Sequence, residues 1–139
     1  MNIKKIHEEI ITKLLKEKPN TCHAKLDDGR VFIGLEVMFY IVPEDKFYIN
    51  LEKMKNADQM AKSILALKRD AEPAEMTKYI EYVGDKPLRL YKSQNKEWWG
   101  DEKLLKNFDK DRTYTINDDF LFIYENGELV GGVLKVIRR

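Results

Sequence analysis

The chain has few of the residues that disulfide, metal and nucleophilic chemistry need. Its 139 residues include one cysteine and two histidines. Cys22 alone cannot form an internal disulfide, so the chain does not belong to the small secreted domains that disulfides stabilise. Its apolar runs are far shorter than the roughly 20 residues of a membrane-spanning helix. The first residues turn acidic and amphipathic where a signal peptide would be apolar, so we expect a cytoplasmic protein without membrane contact.

An excess of one charge is also missing. Lysine and arginine number 25, aspartate and glutamate 24, and the formal net charge is +1. This balance argues against a basic nucleic-acid coat and against an acidic mimic of DNA. The chain is nevertheless globular, because 43% of its residues are hydrophobic and 11% are aromatic.

Candidate nucleophiles are scarce and badly placed. The histidines are His7 and His23, and the serines are Ser63, within a predicted helix, and Ser93, in a polar stretch. Neither serine lies in a Gly-x-Ser-x-Gly turn, so hydrolysis through a nucleophile is disfavoured. The neighbours Cys22 and His23 could be metal ligands or a reactive pair. Side chains of adjacent strand residues diverge, however, which favours an incidental role and predicts no metal and no cofactor.

Pairs of aspartates are the remaining candidates for a metal-dependent enzyme. All of them fall in predicted turns, where aspartate is favoured because its carboxylate accepts bonds from nearby backbone N–H groups. We therefore interpret them as turn residues and keep a carboxylate-bound metal as the weakest alternative. They are Asp27, Asp28, Asp109, Asp111, Asp118 and Asp119.

The first half of the chain predicts two helices around short strands. Apolar residues at three-to-four spacing predict amphipathic helices over residues 2–17 and 57–70. Between them, residues 22–33 predict a hairpin around an Asp-Asp-Gly turn, and residues 37–42 predict a strand that is covered on both faces. Residues 47–51 predict a further strand.

The second half predicts mostly strands. Residues 79–91 indicate a hairpin around Gly84 to Pro87, and residues 101–108 a short helical segment. Two strands, 113–116 and 120–124, precede Asn126-Gly127, which is the strongest short hairpin signal. The Gly-Gly pair that follows predicts a bulge or a close backbone approach, and residues 133–137 predict the last strand. The sum is a single α+β domain over residues 1–139, an antiparallel meander of seven to nine short strands with two to three helices.

A basic stretch with aromatic residues is the best candidate for a binding surface. Residues 86–106 contain six cations and three carboxylates, whereas residues 107–128 contain six carboxylates and two cations. Interleaved basic and aromatic side chains suit single-stranded nucleic acid, but also the anchors of a protein interface or a buried core. Because adjacent strand residues point to opposite faces, at least one of the two tryptophans should be partly exposed. The predicted contact residues are Arg89, Tyr91, Lys92, Lys96, Trp98 and Trp99.

Two segments carry a resemblance to a known group of proteins. Residues 42–53 and residues 122–134, roughly a fifth of the chain, resemble small uncharacterised proteins of phages and mobile elements of Gram-positive bacteria. The resemblance implies that genomic setting and supplies no activity and no functional residues.

These observations favour a non-enzymatic binding protein. In a phage or mobile-element setting, we expect an accessory factor that binds and modulates a host or defence protein. The alternative is a small binder of single-stranded nucleic acid or nucleotides. An exposed edge strand could also pair with another copy, which leaves a homodimer open.

Overall fold

Two helices and ten strands form the part of the chain that the computed structural model describes, residues 1–15 and 21–136. The helices are α1 (Ile3–Leu14) and α2 (Asp58–Leu67). The strands are β1 (Cys22–Lys25), β2 (Arg30–Gly34), β3 (Met38–Pro43), β4 (Lys55–Asn56), β5 (Glu72–Val83), β6 (Lys86–Lys92), β7 (Glu97–Gly100), β8 (Arg112–Ile116), β9 (Phe120–Glu125) and β10 (Glu128–Leu134). The predicted single α+β domain is confirmed, and the strands exceed the predicted seven to nine.

The ten strands form one sheet in the order β4-β1-β2-β3-β10-β9-β8-β5-β6-β7. All neighbours are antiparallel except β4, which pairs with β1 in parallel. The two strands missing from the prediction are the short ones at the two edges, β4 and β7. Strand β5 changes partners along its length: Glu72 to Ala74 pair with β8, and from Glu75 onward the pairing is with β6.

The first face of the sheet is covered by α1. Ile6 and Ile10 are fully buried one turn apart, and they pack against alternate residues of β2 and β3. The buried side chain of Asn107 links α1 to the sheet. Its Nδ2 donates to Glu9 Oε2 at 3.0 Å and to the Tyr40 hydroxyl at 3.1 Å. Because unsatisfied groups of this kind are costly inside a protein, the network fixes how α1 lies on the sheet.

The second face of the sheet is partly covered by α2. Its buried residue Ala61 contacts a cluster that includes Phe32, Phe39 and Phe122. Strand β3 contributes to both faces, since Tyr40 belongs to the first cluster and Phe39 to the second. This confirms the strand that the unbroken apolar run predicts, because a strand covered on both sides has no polar face.

The closing hairpin agrees with its sequence signal. Asn126 and Gly127 have φ values of +54° and +77°, the left-handed pair that a tight hairpin turn requires. A bulge follows between Leu129 and Gly131, where the register shifts against β9. A Cβ on Gly132 would lie 2.4 Å from the Phe39 ring, so the predicted bulge and close approach are both present.

One predicted strand is wrong, and several boundaries move. Residues 47–51 do not join the sheet, because the Tyr48 N–H is bound by the His7 ring at 3.1 Å and Asn50 begins a short 3-10 turn. Strand β5 begins at Glu72, seven residues before the predicted hairpin. Residues 16 and 17 of the predicted first helix and residue 137 of the predicted last strand lie outside the described residues.

Candidate functional site

The predicted contact residues divide between the core and the surface. Tyr91 and Trp98 are directly opposite each other on β6 and β7, and both are buried, with Trp98 only 1% exposed. Their rings meet edge-on at 5.5 Å, and Trp98 Nε1 donates to the Asp119 carbonyl at 3.3 Å. A partner at the surface has no access to either ring. Their assignment to a contact surface is therefore corrected: both residues belong to the core.

The other four predicted residues reach the surface. Trp99, one position along β7, is half-buried, as adjacent residues on a strand require. Arg89 and Lys92 lie on β6, and Lys96 lies in the turn before β7. The six residues thus occupy one part of the sheet without forming one surface.

The three cations among the predicted contact residues each lie within 4.0 Å of a carboxylate. Arg89 Nε lies 3.0 Å from Glu102 Oε1, and Lys96 Nζ lies 3.5 Å from Asp118 Oδ1. Lys92 approaches Glu97 at 4.0 Å in the same way. Pairing of this kind lowers the positive charge that these three side chains offer to phosphate groups.

The remaining chemical candidates have structural surroundings. Burial raises the pKa of the Cys22 thiol, which disfavours the reactive thiolate, and burial likewise raises the pKa of the Tyr91 phenol. Asp118 and Asp119 lie in the turn between β8 and β9, where Asn117 Oδ1 accepts from the Asp119 N–H at 2.8 Å. Across residues 1–15 and 21–136, no three His, Cys, Asp or Glu side chains gather as metal ligands.

The largest group of exposed apolar side chains among the described residues lies on β5, a strand that the contact prediction did not include. We call the β5–β6 hairpin from Glu75 to Lys92 the arm. Beyond Ala74 the arm has left β8, so within residues 1–15 and 21–136 no strand neighbours the second edge of β5. The large apolar side chains that β5 carries along this length are exposed, with Tyr79 and Tyr82 each 70% exposed; the others are Met76, Ile80 and Val83. A free strand edge with exposed aromatic residues is a ready surface for another protein chain.

Strand pairing sets which side chains share a face of the arm. Ile80 and Tyr82 face the same way as Arg89 and Pro87, which lie opposite them on β6. Val83 faces the other way, opposite Lys86. The exposed apolar residues of β5 therefore lie on both faces of the arm, whereas Leu88, Leu90 and Tyr91 on β6 are buried.

A groove opens where β5 separates from β8. It has a volume of about 610 Å³, and Met76 on β5 faces Thr113 and Tyr114 on β8 across it. Lys92 and Ser93 also line it, so this groove connects the predicted basic stretch to the arm.

The sequence indicates the hairpin of the arm but does not indicate that its apolar side chains are exposed. Residues 79–83 have the apolar composition of a buried strand, and a single glutamate interrupts them. Only the end of β8 pairing after Ala74 determines that these side chains project away from the core. No local pattern encodes that separation.

Comparisons with protein-family models, with curated proteins and with solved structures found no match to this chain. Within the described part of the chain, none of the helices combines the length and the apolar content needed to cross a membrane.

Proposed function

We propose that the chain is a non-enzymatic protein-binding domain and that the arm is its contact surface. The observation that carries the proposal is that β5 leaves β8 after Ala74 and carries five exposed large apolar side chains beyond that point. Strand edges of this kind bind other chains through backbone hydrogen bonds, while neighbouring side chains supply selectivity. In the phage setting that the resemblance implies, a host or defence protein is the expected kind of target.

The charge arrangement supports a protein target over a nucleic acid. Three of the four residues of the predicted surface that reach solvent are cations, and each of them has a carboxylate within 4.0 Å. Phosphate contacts depend on cations that release counterions on binding. Exposed tyrosines, in contrast, are enriched among the residues that dominate protein–protein affinity.

A pair of matched tyrosine variants tests this proposal. Tyr79→Ser changes the arm, and Tyr48→Ser removes a tyrosine that is 83% exposed and lies outside it. Tagged wild type and both variants are used to capture proteins from a Gram-positive host lysate, with nuclease and at two salt concentrations. We expect a nuclease-resistant protein to bind wild type and Tyr48→Ser, and its affinity for Tyr79→Ser to fall by about tenfold or more.

Two results would contradict the proposal. Equal retention of the protein by Tyr79→Ser and wild type would move the contact away from the arm. Capture of nucleic acid alone, removed by nuclease or by salt, would favour the nucleic-acid alternative.

A further inference from the structure

We propose that residues 45–53, which we call the flap, are held against α1 by a hydrogen bond that exists only while His7 is neutral, so that acid loosens the flap. The flap lies outside the arm, and its response to acid is therefore independent of the proposed function. Strand β3 ends just before the flap, and β4 begins just after it.

The flap has a single polar connection to another element of the described chain. The Tyr48 N–H donates to His7 Nε2 at 3.1 Å. Among the described residues, all other hydrogen bonds of the flap lie within it or reach the residue on either side of it. Its remaining contacts with the core are apolar, since Phe47, Ile49 and Leu51 are partly buried against the cluster that α1 covers. Loss of the bond to His7 would leave the flap held by partial apolar burial alone.

The bond to Tyr48 requires one protonation state of the ring. A neutral imidazole has a proton on one nitrogen and accepts at the other, so Nε2 accepts here only when Nδ1 has the proton. Nε2 is then the one nitrogen that can bind a second proton. Both nitrogens of an imidazolium are donors, so protonation of His7 and the hydrogen bond from Tyr48 exclude each other.

Ring stacking couples the flap to this bond. The His7 ring stacks on the rings of Phe47 and Tyr48, with centroid distances of 5.1 and 5.9 Å. If the protonated ring kept its position, its new Nε2–H would face the Tyr48 N–H, and the two donors would have no acceptor between them. The Tyr48 N–H must then turn to water for a partner, which separates the flap from the ring.

No neighbouring carboxylate would hold the protonated ring in place. Within the described residues, no Asp or Glu oxygen lies within 4.0 Å of the His7 ring nitrogens, whereas Glu8 pairs with Lys5 and Glu44 pairs with Lys25. An imidazolium in this position therefore has no ion pair to replace the lost hydrogen bond. The charged residues that flank the ring on α1 and along the flap are Lys4, Glu8, Glu44, Asp45, Lys46, Glu52 and Lys53.

The direction of the pH response follows from these contacts. Histidine changes its charge between about pH 8 and pH 5. At the alkaline end the ring is neutral and the flap is closed, and at the acid end the bond is lost and the closed form becomes less stable. Opening would bring Phe47, Ile49 and Leu51 into contact with water, as local opening of weakly held segments does. The chain would thus have an apolar surface that only acid exposes.

Nuclear magnetic resonance of the whole chain labelled with nitrogen-15 tests this without any substitution. At about pH 7.5 we expect the His7 tautomer that is protonated at Nδ1, with the Tyr48 amide protected from hydrogen exchange. At about pH 5 we expect protection of that amide, relative to its intrinsic exchange rate at each pH, to fall by about tenfold. That ratio is roughly what the loss of one hydrogen bond gives.

Two variants separate His7 from other effects of acid. His7→Gln keeps an acceptor for the Tyr48 N–H but does not titrate, so protection of this amide should be the same at both pH values. His23→Gln is the matched control, because it removes the second of the two histidines and should keep the wild-type response. An apolar dye should bind wild type more strongly at the lower pH and show no such increase with His7→Gln. Far-UV circular dichroism at both pH values confirms that each variant is folded.

Three results would overturn the inference. The first is a His7 ring protonated at Nε2 at the higher pH, and the second is a Tyr48 amide whose protection stays constant while His7 titrates. Both are measured on the wild type, so they stand even if a variant does not fold. The third is an equal loss of protection in His7→Gln, which would assign the acid response to other groups.

Discussion

At the scale of single residues, burial determines what the two tryptophans do. Trp98 and Trp99 are adjacent in the sequence and equally rich in binding potential, yet Trp98 is enclosed and Trp99 is half-buried. The Trp98 ring also restricts which residue can occupy position 100. A Cβ on Gly100 would lie 2.0 Å from the edge of this ring, so glycine is needed there. Of the two tryptophans, Trp98 therefore places its ring in the core, where tryptophan contributes most to stability.

Trp98→Ala should therefore unfold the domain, with no selective loss of binding. We expect the free energy of unfolding to fall by about 3–5 kcal/mol, because the substitution leaves a large cavity and removes the hydrogen bond to Asp119. Chemical denaturation followed by circular dichroism measures the change. Trp99→Ala is the matched control and should cost clearly less, since part of its ring already contacts water. Equal losses in the two variants would contradict the assignment of Trp98 to the core.

At the scale of elements, the β9–β10 hairpin is the most locally determined part of the fold. Its turn needs two residues in the left-handed region, and Asn126-Gly127 adopts that region at little cost. The arm has an equally well-formed turn, in which Gly84 has a φ of +65°. It differs from the β9–β10 hairpin because β5 no longer pairs with β8 beyond Ala74. A favourable turn therefore specifies a hairpin and does not specify what its faces contact.

Substitution of Gly127 should separate backbone strain from side-chain crowding. No atom lies within 4 Å of a Cβ placed on this residue, so any loss of stability comes from the backbone conformation. Gly127→Ala should lower the free energy of unfolding by roughly 1–2 kcal/mol, the cost of a left-handed conformation for a residue with a side chain.

The matched variant in this test is Gly127→Asn. Asparagine tolerates the left-handed region better than alanine, so its loss should be the smaller of the two. Thermal and urea unfolding rank the three proteins. A ranking in which asparagine is as harmful as alanine would show that the turn is held in place by something other than this conformational preference.

At the scale of the whole molecule, opposite charges from separate segments meet. Four of the six cations of residues 86–106 have a carboxylate within 4.0 Å: three of these carboxylates belong to the same segment, and the fourth is Asp118 in the acidic segment that follows. Lys135, from the basic end of the chain, likewise lies 3.9 Å from Asp119. The folded surface is therefore more evenly charged than the linear sequence.

This arrangement predicts weak binding of nucleic acid by the wild-type chain. Fluorescence anisotropy with a labelled single-stranded oligonucleotide at low salt should show little binding, because the nearby carboxylates compensate the lysines. A variant with Glu97→Gln, Asp118→Asn and Asp119→Asn removes three negative charges and should gain affinity that falls steeply with salt. Tight, salt-sensitive binding by the wild type would instead revive the nucleic-acid alternative.

The sequence predicts most of the helices and strands but not which side chains of the sheet are exposed. Both helices, most of the strands and the closing turn follow from apolar spacing and turn residues, which act over a few neighbours. The strand expected at residues 47–51 failed because the side chain of His7, about 40 residues away, takes the Tyr48 N–H. Of the predicted contact residues, Tyr91 and Trp98 were misplaced because strand alternation does not say which face is covered.

By itself, the sequence determined the α+β class, the antiparallel hairpins and the lack of a disulfide framework, because periodicity, turn chemistry and cysteine count are local or compositional properties. Only the tertiary structure decided that β5 separates from β8 after Ala74 and leaves Tyr79 and Tyr82 exposed. It alone also decided that Trp98 is enclosed and that Lys96 of the basic segment pairs with Asp118 of the acidic segment. These features depend on which distant strands become neighbours, and neighbours in space are set by the packing of the whole sheet.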